Sequence, residues 1–270
     1  MSLPAYITLE KAVGETPLQC VEAYRGQHPE LKDVPLAYAG RLDPMASGRL
    51  LVLIGDTCKR QTDFHTLDKR YEFSILFGVS SDTYDVLGRL QSHPSVPPIT
   101  QTRLLPLLHD LIGPSRLPYP PFSAKTVQGK PLHTWTLEGR LNEIELPLQH
   151  GTIYALSLTA LSAVTRQSAA ALALQKIDRL PPVTETSKAL GRDFRRSDVR
   201  ADWNAIAADT NVPNSLCVAH LACIASSGTY MRSLAHHIAH QLGTGGLAWH
   251  IHRTHIGTYD PTTQQWVKEW

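Results

Sequence analysis

Apolar and polar residues alternate along Tyr71-Glu72-Phe73-Ser74-Ile75-Leu76-Phe77, so that Tyr71, Phe73, Ile75 and Phe77 share one side; this period of two predicts a half-buried strand. Leu50 to Ile54 is apolar without a break and reads as a strand buried on both faces. Cys217 to Ala225 and Ile153 to Val164 are strand-like too, and Tyr6 to Leu9 is a short strand. Helical spacing shows where Leu234, Ala235, Ile238 and Leu242 recur, with His236, His237, His240 and Gln241 on the other side and Gly243 at the end. A short helix is expected over Leu104 to Ile112, and another should start where Thr16 precedes Pro17. Strands outnumber helices and no internal repeat is visible, so the class is α+β, with a mixed, mainly antiparallel central sheet flanked by helices and loops.

Two stretches depart from this pattern. From Ser168 to Ala208 the chain is rich in alanine and charge and is broken by Pro181-Pro182 and Gly191, which predicts a helical, basic insertion at about 166–215 in a single domain spanning 1–270. Pro35 to Gly48 is rich in Gly, Pro and small residues; Pro44 pushes Asp43 out of helical geometry and onto a loop. The apolar run that follows gives that loop a rigid base, the arrangement on which catalytic side chains are commonly mounted.

Composition adds limits. Hydrophobic residues make up 42% and charged residues 19% of the 270, an ordinary globular balance that excludes a disordered tail or a fibrous repeat. Cys20, Cys58, Cys217 and Cys223 lack the close spacing of a zinc site or redox pair and read as reduced, buried thiols. No apolar run is long enough to cross a bilayer, and a cytoplasmic, monomeric protein is expected. Net charge is only +2, but Arg41 to Arg70 holds six Lys or Arg against four Asp, and Lys188, Arg192, Arg195, Arg196 and Arg200 cluster against Asp193 and Asp198. Such clusters can supply phosphate contacts to RNA, or can be ordinary solvated helix faces. His236 and His240 stand at metal-ligand spacing without a third ligand, so no metal is expected.

Three blocks in order carry a resemblance. Gly40-Arg41-Leu42-Asp43-Pro44-Met45-Ala46-Ser47-Gly48 resembles the catalytic segment of TruB-type tRNA pseudouridine synthases, which surrounds one essential aspartate. Asp68-Lys69-Arg70-Tyr71, with Ser81-Asp82-Thr83-Tyr84-Asp85 further on, is similar to the strand whose tyrosine stacks on the flipped base, and Ser227-Gly228-Thr229-Tyr230-Met231-Arg232 to the motif whose arginine pairs with the aspartate. Ile7 to Gly14, Pro121 to Leu132 and His252 to Gly257 are weaker matches to other family segments. Tyr38 stands where the family commonly has a histidine and Arg41 where it has a small residue or threonine; Gly-Arg-Leu-Asp is closer to the ribosomal-RNA branches, whose arginine helps displace the target base. The family's appended β domain, called PUA, is not expected, since 13 residues follow Gly257, and the basic insertion from Lys188 to Arg200 would stand in for its contacts.

The resemblance implies a pseudouridine synthase fold and isomerisation of a flipped-out uridine in structured RNA, with tRNA uridine 55 in the T-loop as the first expectation and another tRNA or rRNA site as the alternative. No cofactor is implied, because the bond from ribose to N1 of uracil is remade to C5 with nothing oxidised or imported. Asp43 would be the nucleophile, adding to the base or acting at the sugar. Arg232 would be its ionic partner and Tyr71 the stacking platform. Leu42 and Tyr230 would wall the pocket, while Arg41, Lys69, Lys125, Lys130 and Arg253 would contact phosphate or base. Two rivals differ in kind: a non-catalytic RNA-binding or RNA-folding protein on this scaffold, and a glycosidase, which would need a second acid such as Asp85 placed across a sugar.

Overall fold

The computed structural model describes residues 3–182 and 193–270. Lys188 and Arg192 of the basic cluster lie outside the described residues. One sheet organises the rest: β1 (Tyr6–Lys11), β2 (Leu36–Ala39), β3 (Ala46–Ile54), β4 (Asp68–Phe77), β5 (Gly113–Pro118), β6 (Leu148–Thr165), β7 (Ser215–Ala225), β8 (Gly246–Asp260) and β9 (Gln265–Glu269). Its order is β1-β3-β8-β4-β7-β6-β5, with β2 added to β3 and β9 to β8. All these pairings are antiparallel except β8 against β3, where Ile251, His252 and Arg253 run beside Ala46, Ser47 and Gly48. The sheet is therefore mixed and mainly antiparallel, and with its helices the fold is α+β.

Among the described residues six α-helices accompany it: α1 (Pro17–Gln27), α2 (Gln101–Asp110), α3 (Leu132–Leu137), α4 (Arg166–Asp178), α5 (Arg196–Ala208) and α6 (Met231–Gln241). Helix α1 begins as the Thr16-Pro17 pair predicts, in a reciprocal cap: the Gln19 amide donates to Thr16 Oγ1 at 3.2 Å and the Thr16 amide to Gln19 Oε1 at 2.9 Å. On one face of the sheet, Phe73, Ile75 and Phe77 pack with Leu234 and Ile238 of α6 and Leu104 and Leu108 of α2. The other face is covered by α4 and α5, where Ala173 and Ile177 of α4 and Val199 and Trp203 of α5 bury Leu76, Val218 and Leu247.

This second layer corrects the half-buried reading of β4. Glu72 is exposed near the start of the strand, but Ile75 and Leu76, which point to opposite faces, are both fully buried. His236 is also not on a solvated face. Its ring stacks on Tyr84 at 4.0 Å between centroids, and burial lowers its pKa to about 4.

The parallel pairing of β3 with β8 sets the loop that carries Asp43. Residues Leu36 to Ala39 pair with Leu51 to Ile54, whereas the first residues of β3 pair with β8, so the intervening residues 40–45 are carried over the middle of the sheet. Gly40, at φ +82°, supplies the turn into this loop. The Gly14 amide donates to Pro44 O at 2.8 Å and the Ala46 amide to Asp43 O at 3.0 Å, fixing the backbone around Asp43.

Candidate active site

Asp43 and Arg232 meet in a bidentate pair: Arg232 Nε donates to Asp43 Oδ2 at 2.7 Å and Nη2 to Asp43 Oδ1 at 3.0 Å. Two loops of unrelated position thus converge, one from the β2–β3 hairpin and one at the start of α6. The guanidinium side chain is 6% exposed and the carboxylate 37%, so the acid faces the open cleft while its partner forms the floor. The remaining Arg232 nitrogen, Nη1, donates to Thr83 O at 2.8 Å and to Phe122 O at 3.4 Å. Burial opposes the charge of Arg232, but Asp43 and Asp85 outweigh it and hold the guanidinium above its ordinary pKa.

Asp85 lies behind this pair, with Oδ2 at 3.9 Å from Arg232 Nε. It is 5% exposed, and its Oδ1 accepts from Thr83 Oγ1 at 2.6 Å and from the Leu87 amide at 3.0 Å. Burial raises its pKa, opposed by Arg232 and the Thr83 hydroxyl. The residue is therefore a buried brace for Arg232. It does not stand across an open cleft from Asp43 as the second acid of a glycosidase must.

The cleft in front of Asp43 has a volume of about 1030 Å³, with Arg41, Leu42, Tyr71, Tyr119, Lys125 and Tyr230 in its wall. Tyr71 enters it from β4, directly across from Arg253 on β8. Burial raises the pKa of the Tyr71 hydroxyl, against the opposing influence of the Arg253 guanidinium. Tyr119 and Tyr230 stand 5.3 Å apart between ring centroids, and Lys125 lies 5.2 Å from the centre of the Tyr119 ring. Arg41 is exposed at the tip of the loop, whereas Leu42 is buried under it. Asp43, Arg232, Tyr71, Arg41, Leu42, Tyr230 and Lys125, picked out by sequence, thus share one cleft.

Lys69 and Arg253 also line this cleft but are buried, and Lys130 is not in its lining. Arg253 is 1% exposed and spends its donors on backbone carbonyls of β3 and the loop: Nε on Arg49 O at 2.8 Å, Nη1 on Arg41 O and Nη2 on Gly40 O, both at 3.3 Å. Lys69 is buried, donating to Leu67 O and, at 3.2 Å, to Ser227 Oγ; burial and the nearby Arg253 lower its pKa to about 8. Lys130 is tied to Glu138 at 2.7 Å and lies over the Trp135 ring at 4.5 Å. Periodicity and charge counts cannot separate such internal cations from free ones. Thr83, Phe122 and Arg195 fall in stretches that the sequence singles out, but their roles beside Arg232 do not follow from it, because Thr83 and Phe122 act through carbonyls and Arg195 through a packed guanidinium. Among the described residues, no group of three or more His, Cys, Asp or Glu could hold a metal ion.

Residues 31–174 match the model of the TruB family pseudouridylate synthase N-terminal domain. The chain belongs to the TruB family. It is 34% identical over 152 residues to tRNA pseudouridine synthase B of Caldicellulosiruptor saccharolyticus, covering 56% of this chain and 50% of that protein. It is 25% identical over 225 residues to tRNA pseudouridine synthase B of Deinococcus radiodurans, covering 83% and 65%. With tRNA pseudouridine synthase 4 of Saccharomyces cerevisiae it shares 32% over 130 residues, covering 48% and 32%. The alignments to the first two bacterial relatives span about half of those proteins' length. In fold, 93% of this TruB-family chain superposes on 48% of a chain from a Cbf5-Nop10-Gar1 complex, with a TM-score of 0.53 and 14% identity.

Proposed function

We propose that this chain is an RNA pseudouridine synthase in which Asp43 is the nucleophile toward a uridine flipped into the cleft. The observation that carries this reading is the bidentate Asp43–Arg232 pair at the floor of a tyrosine-walled cleft. A flipped pyrimidine needs a flat apolar surface, and Tyr71 beside Asp43 offers one. Arg232 holds both carboxylate oxygens in place and keeps a positive charge next to them, so Asp43 enters the reaction oriented. A binding-only protein has no use for a carboxylate mounted in this way, and RNA phosphates would be repelled by it.

Relatives named tRNA pseudouridine synthase favour tRNA as the substrate, and uridine 55 of the T-loop is the site to test first. Arg41, exposed beside Leu42, would enter the base stack as the uridine leaves it, and Lys125, in the cleft wall, would meet the RNA backbone. We further read residues 1–270 as one catalytic domain interrupted by the helical insertion. We read it as a cytoplasmic monomer; the four cysteines are free, as suits a reducing compartment. Incubating the protein with transcribed tRNA, followed by carbodiimide labelling and primer extension, tests the activity and reads out the modified position. A stop at one uridine is expected, and no stop at any position would overturn the assignment.

A further inference from the structure

Arg232 Nη1 is received by two carbonyls, those of Thr83 and Phe122, from segments far apart in the chain. Both segments are gripped by a third party. Arg195, just before α5 in the insertion, forms a bidentate pair with Asp82, Nη1 to Oδ2 at 2.6 Å and Nη2 to Oδ1 at 2.9 Å. The same guanidinium lies 4.8 Å from the centre of the Phe122 ring. Its side chain is 10% exposed, and together with Asp43, Phe122 and Arg232 it lines a small cavity of about 80 Å³ beside the catalytic pair. Arg195 adopts φ +55°, a left-handed conformation that costs a non-glycine residue on the order of 1 kcal/mol or more, so the surroundings must hold it there. The insertion is fastened to the same loop at two more points: Arg89 pairs with Asp202 at 2.7 Å, and Trp203 Nε1 donates to Val86 O at 2.9 Å.

The neighbouring cations Arg196 and Arg200 also pair within the chain, the side chain of the latter 40% exposed. Arg196 is bound to Asp193 and to the Leu180 and Pro181 carbonyls, and Arg200 to Asp178. A cation used only to meet RNA phosphate would be exposed and unspent; Arg195 is neither. We propose that Arg195 is a positioning residue, which couples the insertion to the Asp43–Arg232 pair by clamping the Asp82 and Phe122 segments whose neighbouring carbonyls orient Arg232. This rests on the pseudouridine synthase reading for its kinetic consequence, but its geometric consequence stands apart from it.

Two measurements on Arg195→Met and Asp82→Asn test the clamp. In single-turnover reactions at saturating tRNA, each variant should lose about tenfold or more in rate, since small misplacements of catalytic groups are costly, while tRNA affinity stays near that of the intact chain. The double variant should lose little more than either single one, because both remove the same contact. In the free protein, the Nε–H signal of Arg232, assigned by its loss in Arg232→Lys, should exchange with solvent markedly faster in Arg195→Met. Weakened tRNA binding with an unchanged saturating rate would make Arg195 a phosphate contact and overturn the proposal. Lowered thermal stability with unchanged rate and unchanged Arg232 exchange would make it a structural residue only and overturn it equally. If the intact chain forms no pseudouridine, the functional reading fails, and the exchange measurement alone decides the clamp.

Discussion

Gly48 lies flat against the backbone of Arg253: the two are register partners in the parallel pairing of β3 and β8, and a Cβ at position 48 would stand 2.3 Å from Arg253 O. Arg253 in turn reaches forward to the Gly40 and Arg41 carbonyls. The close approach at one end of the loop therefore sets the support at the other. Gly48 also sits at φ +108°, where a side chain is strained whatever the space.

Gly48→Ala is expected to destabilise the protein by about 3 kcal/mol or more, from backbone strain together with a clash against main chain that cannot yield. Urea unfolding followed by circular dichroism measures this. A loss below about 1 kcal/mol, the ordinary cost of a point substitution, would contradict the tight β3–β8 approach.

Arg232→Lys keeps the charge but removes the planar fork that meets both oxygens of Asp43. The single-turnover rate of pseudouridine formation should fall by about 10²-fold or more, as expected when an orienting contact is lost, with tRNA affinity retained. A rate equal to that of the unsubstituted chain would mean that the pair's geometry is irrelevant to the reaction.

Most of this was legible in the sequence where a motif and a period coincide. The strand ending in Phe77, the loop holding Asp43 and the helix starting near Arg232 each carry local signals strong enough to be read singly. The partner of Arg253 could not be read, because a buried arginine and a free one have the same letter, and only the fold decides whether its donors meet carbonyls or solvent. The double burial of Leu76 was hidden for a related reason: alternation reports one covered face, while the second cover comes from α4 and α5, about a hundred or more positions later in the chain.

Lys69 supplies a pH test. Its folded pKa of about 8 lies below the ordinary 10.5. Between these values the unfolded chain holds the proton and the folded chain does not, so rising pH favours folding; below pH 8 both states are charged and the full burial cost is present. In Lys69→Met this contribution is absent. The stability of the variant relative to the unsubstituted chain should fall by on the order of 1–3 kcal/mol as pH rises from 8 to 10.5, measured by urea unfolding across that range. A difference constant with pH would contradict the buried, depressed lysine.

Trp203 tests the insertion as part of the core. It is fully buried and donates to Val86 O at 2.9 Å. Trp203→Ala should cost about 3–5 kcal/mol through the cavity left between α5 and the sheet. Near-neutral stability would show that the insertion packs too loosely to brace the loop beneath it.

The proposed isomerisation depends above all on the carboxylate of Asp43. Its direct test is Asp43→Ala assayed on transcribed tRNA by carbodiimide labelling and primer extension, with tRNA binding measured in parallel. The expected result is a complete loss of the pseudouridine stop with binding close to that of the unsubstituted chain, whereas undiminished modification by Asp43→Ala would contradict the mechanism outright.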